Sequence, residues 1–158
     1  MTDEKKQAYT RRISSATRTQ LITIVYDMML DYTDEAKEAL REKDDAKLRS
    51  ALQHARACLD DLIRSLDMQY ELSFGLRELY LFAKKQLILA EARHDGICME
   101  NAKRVVGRMR EAWIQIEDTD DSFAAFDNAQ TVYAGLTYGR GTLNESVADP
   151  QANRGLCV

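Results

Sequence analysis

Proline is almost absent from this chain of 158 residues, and Pro150 is the only one. Nearly the whole length is therefore open to helix, because the residue most hostile to it is missing. Histidine occurs twice, at His54 and His94, and cysteine three times, at Cys58, Cys98 and Cys157. An odd number of irregularly spaced cysteines is no disulfide framework, and free thiols in a reducing compartment are the simplest reading. No apolar run approaches the roughly 18 residues that span a bilayer, so membrane insertion is not expected. The opening Met-Thr-Asp-Glu-Lys-Lys lacks the apolar core of a signal peptide, and a cytoplasmic location is expected. Basic charge is not in excess either. The net charge of −4 gives no reason to expect nucleic-acid binding. Arg11, Arg12 and Arg18 form a small basic cluster that is too sparse to track a phosphate backbone.

Patterns for catalysis are missing as well. A di-metal site in a helical bundle needs two Glu-x-x-His pairs and further glutamates. This chain has one such pair, Glu91-Ala92-Arg93-His94, whereas His54 is preceded at that spacing by Ala51. No Gly-x-Gly-x-x-Gly leads into a helix, and no Gly-Lys-Ser/Thr loop occurs. Cys58 lies one helical turn after His54 but flanks an apolar seam, where a packed thiol is the expectation. No enzyme activity, catalytic residue, metal or cofactor is expected.

What the chain does have is helical periodicity. Four amphipathic segments follow one another. The first, from about Thr19 to Glu42, offers Leu21, Val25, Met28, Tyr32 and Ala36 as a buried face with Ile24 beside it. Thr17 or Thr19 is its candidate cap. The second follows Lys43-Asp44-Asp45, with an aspartate as N-cap. It carries Leu48, Leu52, Ala55, Leu59, Leu62 and Leu66 at alternating spacings of four and three, an a/d seam. The third runs from Leu72 to Ala92, and Asp95-Gly96 then reads as a turn. The fourth uses Cys98, Ala102, Val105, Met109, Ala112 and Ile116. It ends near Glu117, Asp118, Asp120 and Asp121, acidic residues that oppose a helix C-terminus.

The third segment has two apolar stripes. Leu72, Leu76, Leu79, Ala83, Leu87 and Ala90 form one, expected to face the core. Phe74, Leu81 and Ile88 recur every seventh position and fall about 160° away from it. Such a second stripe is either covered by the rest of the chain or waits for a partner, and on an acidic helical protein it points to binding rather than catalysis. Met99, Val106 and Trp113 form a side stripe on the fourth segment, which either widens the core or adjoins that surface. Segments of similar length joined by short loops predict an all-α fold, an antiparallel up-down-up-down four-helix bundle. Three regions follow: an N-terminal segment (1–18), the helical bundle (19–117) and a mostly irregular C-terminal tail (118–158). The tail holds four of the seven glycines, yet keeps large apolar residues from Phe123 to Leu143. Its stretch from Val132 to Leu143 is a candidate internal competitor for a groove.

The order of several short elements resembles the flagellar secretion chaperone family, FliS. Ala16-Thr17-Arg18-Thr19-Gln20-Leu21, followed by Val25-Tyr26-Asp27, resembles the family's opening and its Leu-Tyr-Asp-Gly element. Ser65-Leu66-Asp67, Leu76-x-x-Leu79-Tyr80 and Arg110-Glu111-Ala112-Trp113 resemble later elements, and Tyr9 stands where the family tends to have an N-terminal tyrosine. Arg18 replaces the usual proline, and Met28 the glycine after Tyr26-Asp27. The resemblance implies a cytoplasmic export chaperone that holds the disordered C-terminal segment of flagellin and prevents premature polymerisation. It also implies possible contact with other export components. Phe74, Leu81 and Ile88 are then the expected client surface, with Val106 and Trp113 as neighbours. Tyr9 and Ile13 are candidates for a plug over the groove, and Tyr26 and Asp27 match the family in roles that are structural or functional. The competing expectation is a helical interaction module that self-associates, or binds a different helical partner, through the same apolar surface.

Overall fold

The computed structural model describes residues 1–117, 119–121 and 125. Expectations for the remainder of the tail, including groove occupancy by residues 132–143, lie outside the described residues. Within them are five helices and no strand: α1 (Asp3–Ser15), α2 (Arg18–Glu42), α3 (Asp45–Ser65), α4 (Glu71–Arg93) and α5 (Gly96–Glu117).

The boundaries follow from local chemistry. Thr17 accepts a hydrogen bond from the Gln20 amide while the Gln20 side chain accepts one from the Thr17 amide, a capping box that starts α2. Asp44 accepts from the Lys47 amide at 3.0 Å and starts α3. Lys43 and His94 end α2 and α4 in the left-handed conformation, with φ of 58° and 51°. Asp95 then accepts from the Ile97 amide at 2.8 Å as α5 begins. The N-terminal segment, for which no amphipathic pattern stands out, is nevertheless a helix. Thr2 caps it, and Asp3 and Glu4 sit favourably in its first turn.

α2 and α4 each pack on both α3 and α5, and α1 packs on α2. Across α2 and α5 the pairs Asp27–Arg110, Asp34–Lys103 and Lys37–Glu100 have numbers that rise on one helix as they fall on the other. Across α3 and α4 the pairs Arg56–Glu91 and Asp60–Lys84 do the same. The acidic residues beyond α5 find a use in this arrangement. Asp120 accepts from the Thr19 amide at 3.4 Å and from its hydroxyl, at the positive end of α2, whose own first turn has no acid.

The core corrects several expected faces. On α3 the seam from Leu48 to Leu62 is buried as expected. On α2 the deepest positions are Tyr26, Met29, Thr33, Ala36 and Ala39, while Leu21, Val25, Met28 and Tyr32 are only half-buried. The helix is flanked by α1, α3 and α5, and apart from Met29 its innermost line is filled by small or hydroxyl-bearing residues. Thr33 satisfies its hydroxyl by donating to the Met29 carbonyl at 2.8 Å. On α4 the buried line is Ser73, Tyr80, Ala83, Leu87 and Ala90, and Leu72 and Leu79 are exposed. On α5 it is Cys98, Met99, Ala102, Val106 and Met109, and Ala112 and Ile116 are exposed. The buried face of α5 thus includes the side stripe.

Candidate functional site

One side of α4 is left bare by these contacts. Phe74, Leu81 and Ile88 are 56%, 41% and 48% exposed, with Phe82 beside them at 43%. Leu72 and Leu79 extend the apolar surface along another flank of the helix. Isolated exposed leucines mean little, but several large apolar side chains left exposed on a single helix are of the kind that partners cover. Sequence periodicity found the Phe74–Leu81–Ile88 stripe. It missed Phe82, and assigned Leu72 and Leu79 to the core.

Ile88 stands at the rim of a groove between α3 and α4, whose walls carry Arg56, Asp60, Lys84 and Glu91. The groove's charges are largely paired: Lys84 donates to Asp60 at 2.5 Å, and Glu91 accepts from Arg56. At the end of the molecule where α3 hands over to α4, an apolar cavity of about 300 Å³ is lined by Leu62, Leu66, Tyr70, Leu76, Tyr80 and Trp113, among others. Trp113 was expected beside the client surface and is half-buried in this cavity. Among the described residues its indole Nε1 is buried without a hydrogen-bond partner. Val106 does not belong to any surface. It is fully buried in the core, because α5 turns this side toward α2 and α4.

Beneath the cavity the Tyr26 and Tyr80 hydroxyls hydrogen-bond to each other, and the Tyr26 ring meets the Trp113 ring edge-on at 6.4 Å. Burial, and then the bond to Tyr80, raise the Tyr26 hydroxyl above its ordinary value, so it stays a neutral donor or acceptor. Asp27, next in sequence, accepts from Arg12 of α1 at 2.7 Å and from Arg110 of α5. Tyr26 and Asp27 therefore tie helices together.

α1 lies on α2 through a small apolar cluster and a row of polar contacts. Tyr9 is buried with Ala16 and Ile24, and Ile13 packs half-buried against them. The Tyr9 hydroxyl donates to Asp31 at 2.8 Å, and burial followed by this bond raises its pKa. Lys5 also reaches Asp31, and the N-terminal ammonium reaches Glu35. Tyr9 and Ile13 thus cover α2, and the structure does not bring them together with the bare stripe of α4.

The residues of the half metal motif are engaged separately: Glu91 pairs with Arg56 and Arg49, and His94 Nε2 lies 3.1 Å from Asp45. Burial pushes the Cys58 thiol up to about 12, which makes it a poor nucleophile at neutral pH.

The arrangement is that of an all-helical protein that leaves an apolar face of one helix uncovered among the described residues. Among known families, the flagellar protein FliS matches residues 1–120, a span that includes all five helices. The chain belongs to this family, a family of flagellar export chaperones. No curated protein matches the chain.

Proposed function

We propose that the protein is a cytoplasmic chaperone that binds the disordered C-terminal segment of flagellin and keeps it from polymerising before export. The observation that carries this is the bare stripe of Phe74, Leu81 and Ile88. A client segment folding into an amphipathic helix places its apolar residues at such a stripe. Ordering the client costs free energy, so the complex is of moderate affinity and releasable, as export requires. The scaffold under this surface is an antiparallel up-down-up-down four-helix bundle of α2 to α5. The reversed order of the ion pairs and the ring of helix contacts support it. α1 is the candidate cover, with Tyr9 and Ile13 shielding Ile24 on α2. Other export components are further candidate partners.

Calorimetric titration with the C-terminal segment of the cognate flagellin tests the reading. One-to-one binding is expected for the native chain, and Leu81→Asp should weaken it about tenfold or more while keeping the helical circular-dichroism signal. Absence of binding, both in the full chain and in a chain lacking residues 1–15, would overturn it.

A further inference from the structure

The chain just beyond α5 returns to the corner where α1 meets α2. Ala16 ends α1 in an extended conformation and is buried with Tyr9 and Ile24. Its carbonyl accepts from the Ala125 amide at 2.8 Å, and no other hydrogen bond reaches that carbonyl among the described residues. On the other side of the Thr17 cap, Asp120 accepts from the Thr19 amide at 3.4 Å and from the Thr19 hydroxyl. Each contact answers a group that the helices leave open. A buried carbonyl without a donor is costly, and water can reach it only by parting Ala16 from Tyr9 and Ile24. The Thr19 amide lies in the first turn of α2, where amides lack intrahelical acceptors and the helix dipole favours an anion. Undoing both contacts therefore opens the seam between α1 and α2 from the corner, while the buried lines of α3 and α4 take no part in either.

We propose that Asp120 and Ala125 form a clasp that holds α1 down on α2, so that α1 lifts when the chain beyond α5 is drawn away. A helix of 13 residues is marginal alone, and α1 packs chiefly on α2. Opening the clasp uncovers Ile24 with its half-buried neighbours Leu21 and Met28, an apolar patch on α2 built from other residues than the stripe of α4. The end of α5 and the start of the chain are thereby coupled, and coupling of this kind runs equally in both directions. The clasp does not depend on the function proposed above.

Native-state hydrogen exchange of the full chain, read by NMR residue by residue, tests it, with circular dichroism to establish that each variant is folded. Asp120→Ala removes the acceptor for Thr19, and Ala125→Pro removes the amide hydrogen that Ala16 accepts. Combining the two changes should speed exchange in α1 about tenfold, while the buried amides of α3 and α4 keep their native rates. In the opposite direction, Tyr9→Ala, which loosens α1 far from the clasp, should speed exchange at the Thr119 and Asp120 amides, bonded to the Ile116 and Glu117 carbonyls. Unchanged α1 exchange in the combined variant overturns the proposal. Acceleration shared equally by all five helices overturns it too, since that is a general loss of stability. Thr119 and Asp120 amides indifferent to Tyr9→Ala would show that the two ends are not coupled, and would equally overturn it.

Discussion

Tyr26 shows how a single side chain serves both packing and polarity. Its ring fills the space between Tyr80 and Trp113, and among the described residues its hydroxyl has no partner but Tyr80. Tyr26→Phe keeps the ring and strands the buried Tyr80 hydroxyl, which is expected to cost about 1–3 kcal/mol in chemical denaturation. Adding Tyr80→Phe removes the stranded group, so the double variant should be no less stable than the single one. Both tyrosines stood in family-matching elements of the sequence, but their pairing was not legible. Two positions more than fifty residues apart carry no local signal that their hydroxyls meet. Capping residues are the opposite case. Thr17 and Asp44 were readable because a cap's acceptor and donor lie within one turn.

The five helices differ in how plainly their sequences declare a face. α3 has one leucine seam and polar residues elsewhere, so its buried side was legible. α4 carries apolar residues on more than one side, and periodicity alone assigned Leu72 and Leu79 inward when Tyr80 and Ser73 are what turn in. α2 hides its innermost line under threonine and alanine. α1 was not foreseen as a helix because it is mostly polar and buries only Tyr9. A helix of 13 residues is marginal by itself, so α1 depends on its contacts with α2. Much of that attachment is electrostatic: Arg12 to Asp27, Lys5 to Asp31 and the terminal ammonium to Glu35. Raising salt to about 1 M shortens the screening length to roughly 3 Å. Hydrogen exchange in α1 should then speed up while α3 and the buried half of α4 keep their protection. Equal acceleration in all helices would refute this independence of α1.

At the scale of the whole molecule, the stability should be insensitive to pH near neutrality and fall in alkali. Burial raises the Tyr26 and Tyr80 hydroxyls above the ordinary 10.0 and the Cys58 thiol from 9.0 to about 12. In the unfolded chain these groups lose their protons first, so unfolding is favoured once pH passes about 9 and increasingly above 10. Below those values both states are protonated and the full stability is present. Denaturation midpoints measured from pH 7 to about 11 check this, and a midpoint that rises with alkali would contradict it. One carboxylate described above has a consequence for traffic on and off the protein. Asp27 is held by Arg12 from α1 and, independently, by Arg110 from α5. If α1 detaches, Asp27 is not abandoned, since Arg110 remains in place. Departure therefore leaves Asp27 paired, while Asp31 and Glu35, half-buried on α2, exchange their partners in the N-terminal segment for water as Tyr9, Ile13 and Ile24 are uncovered.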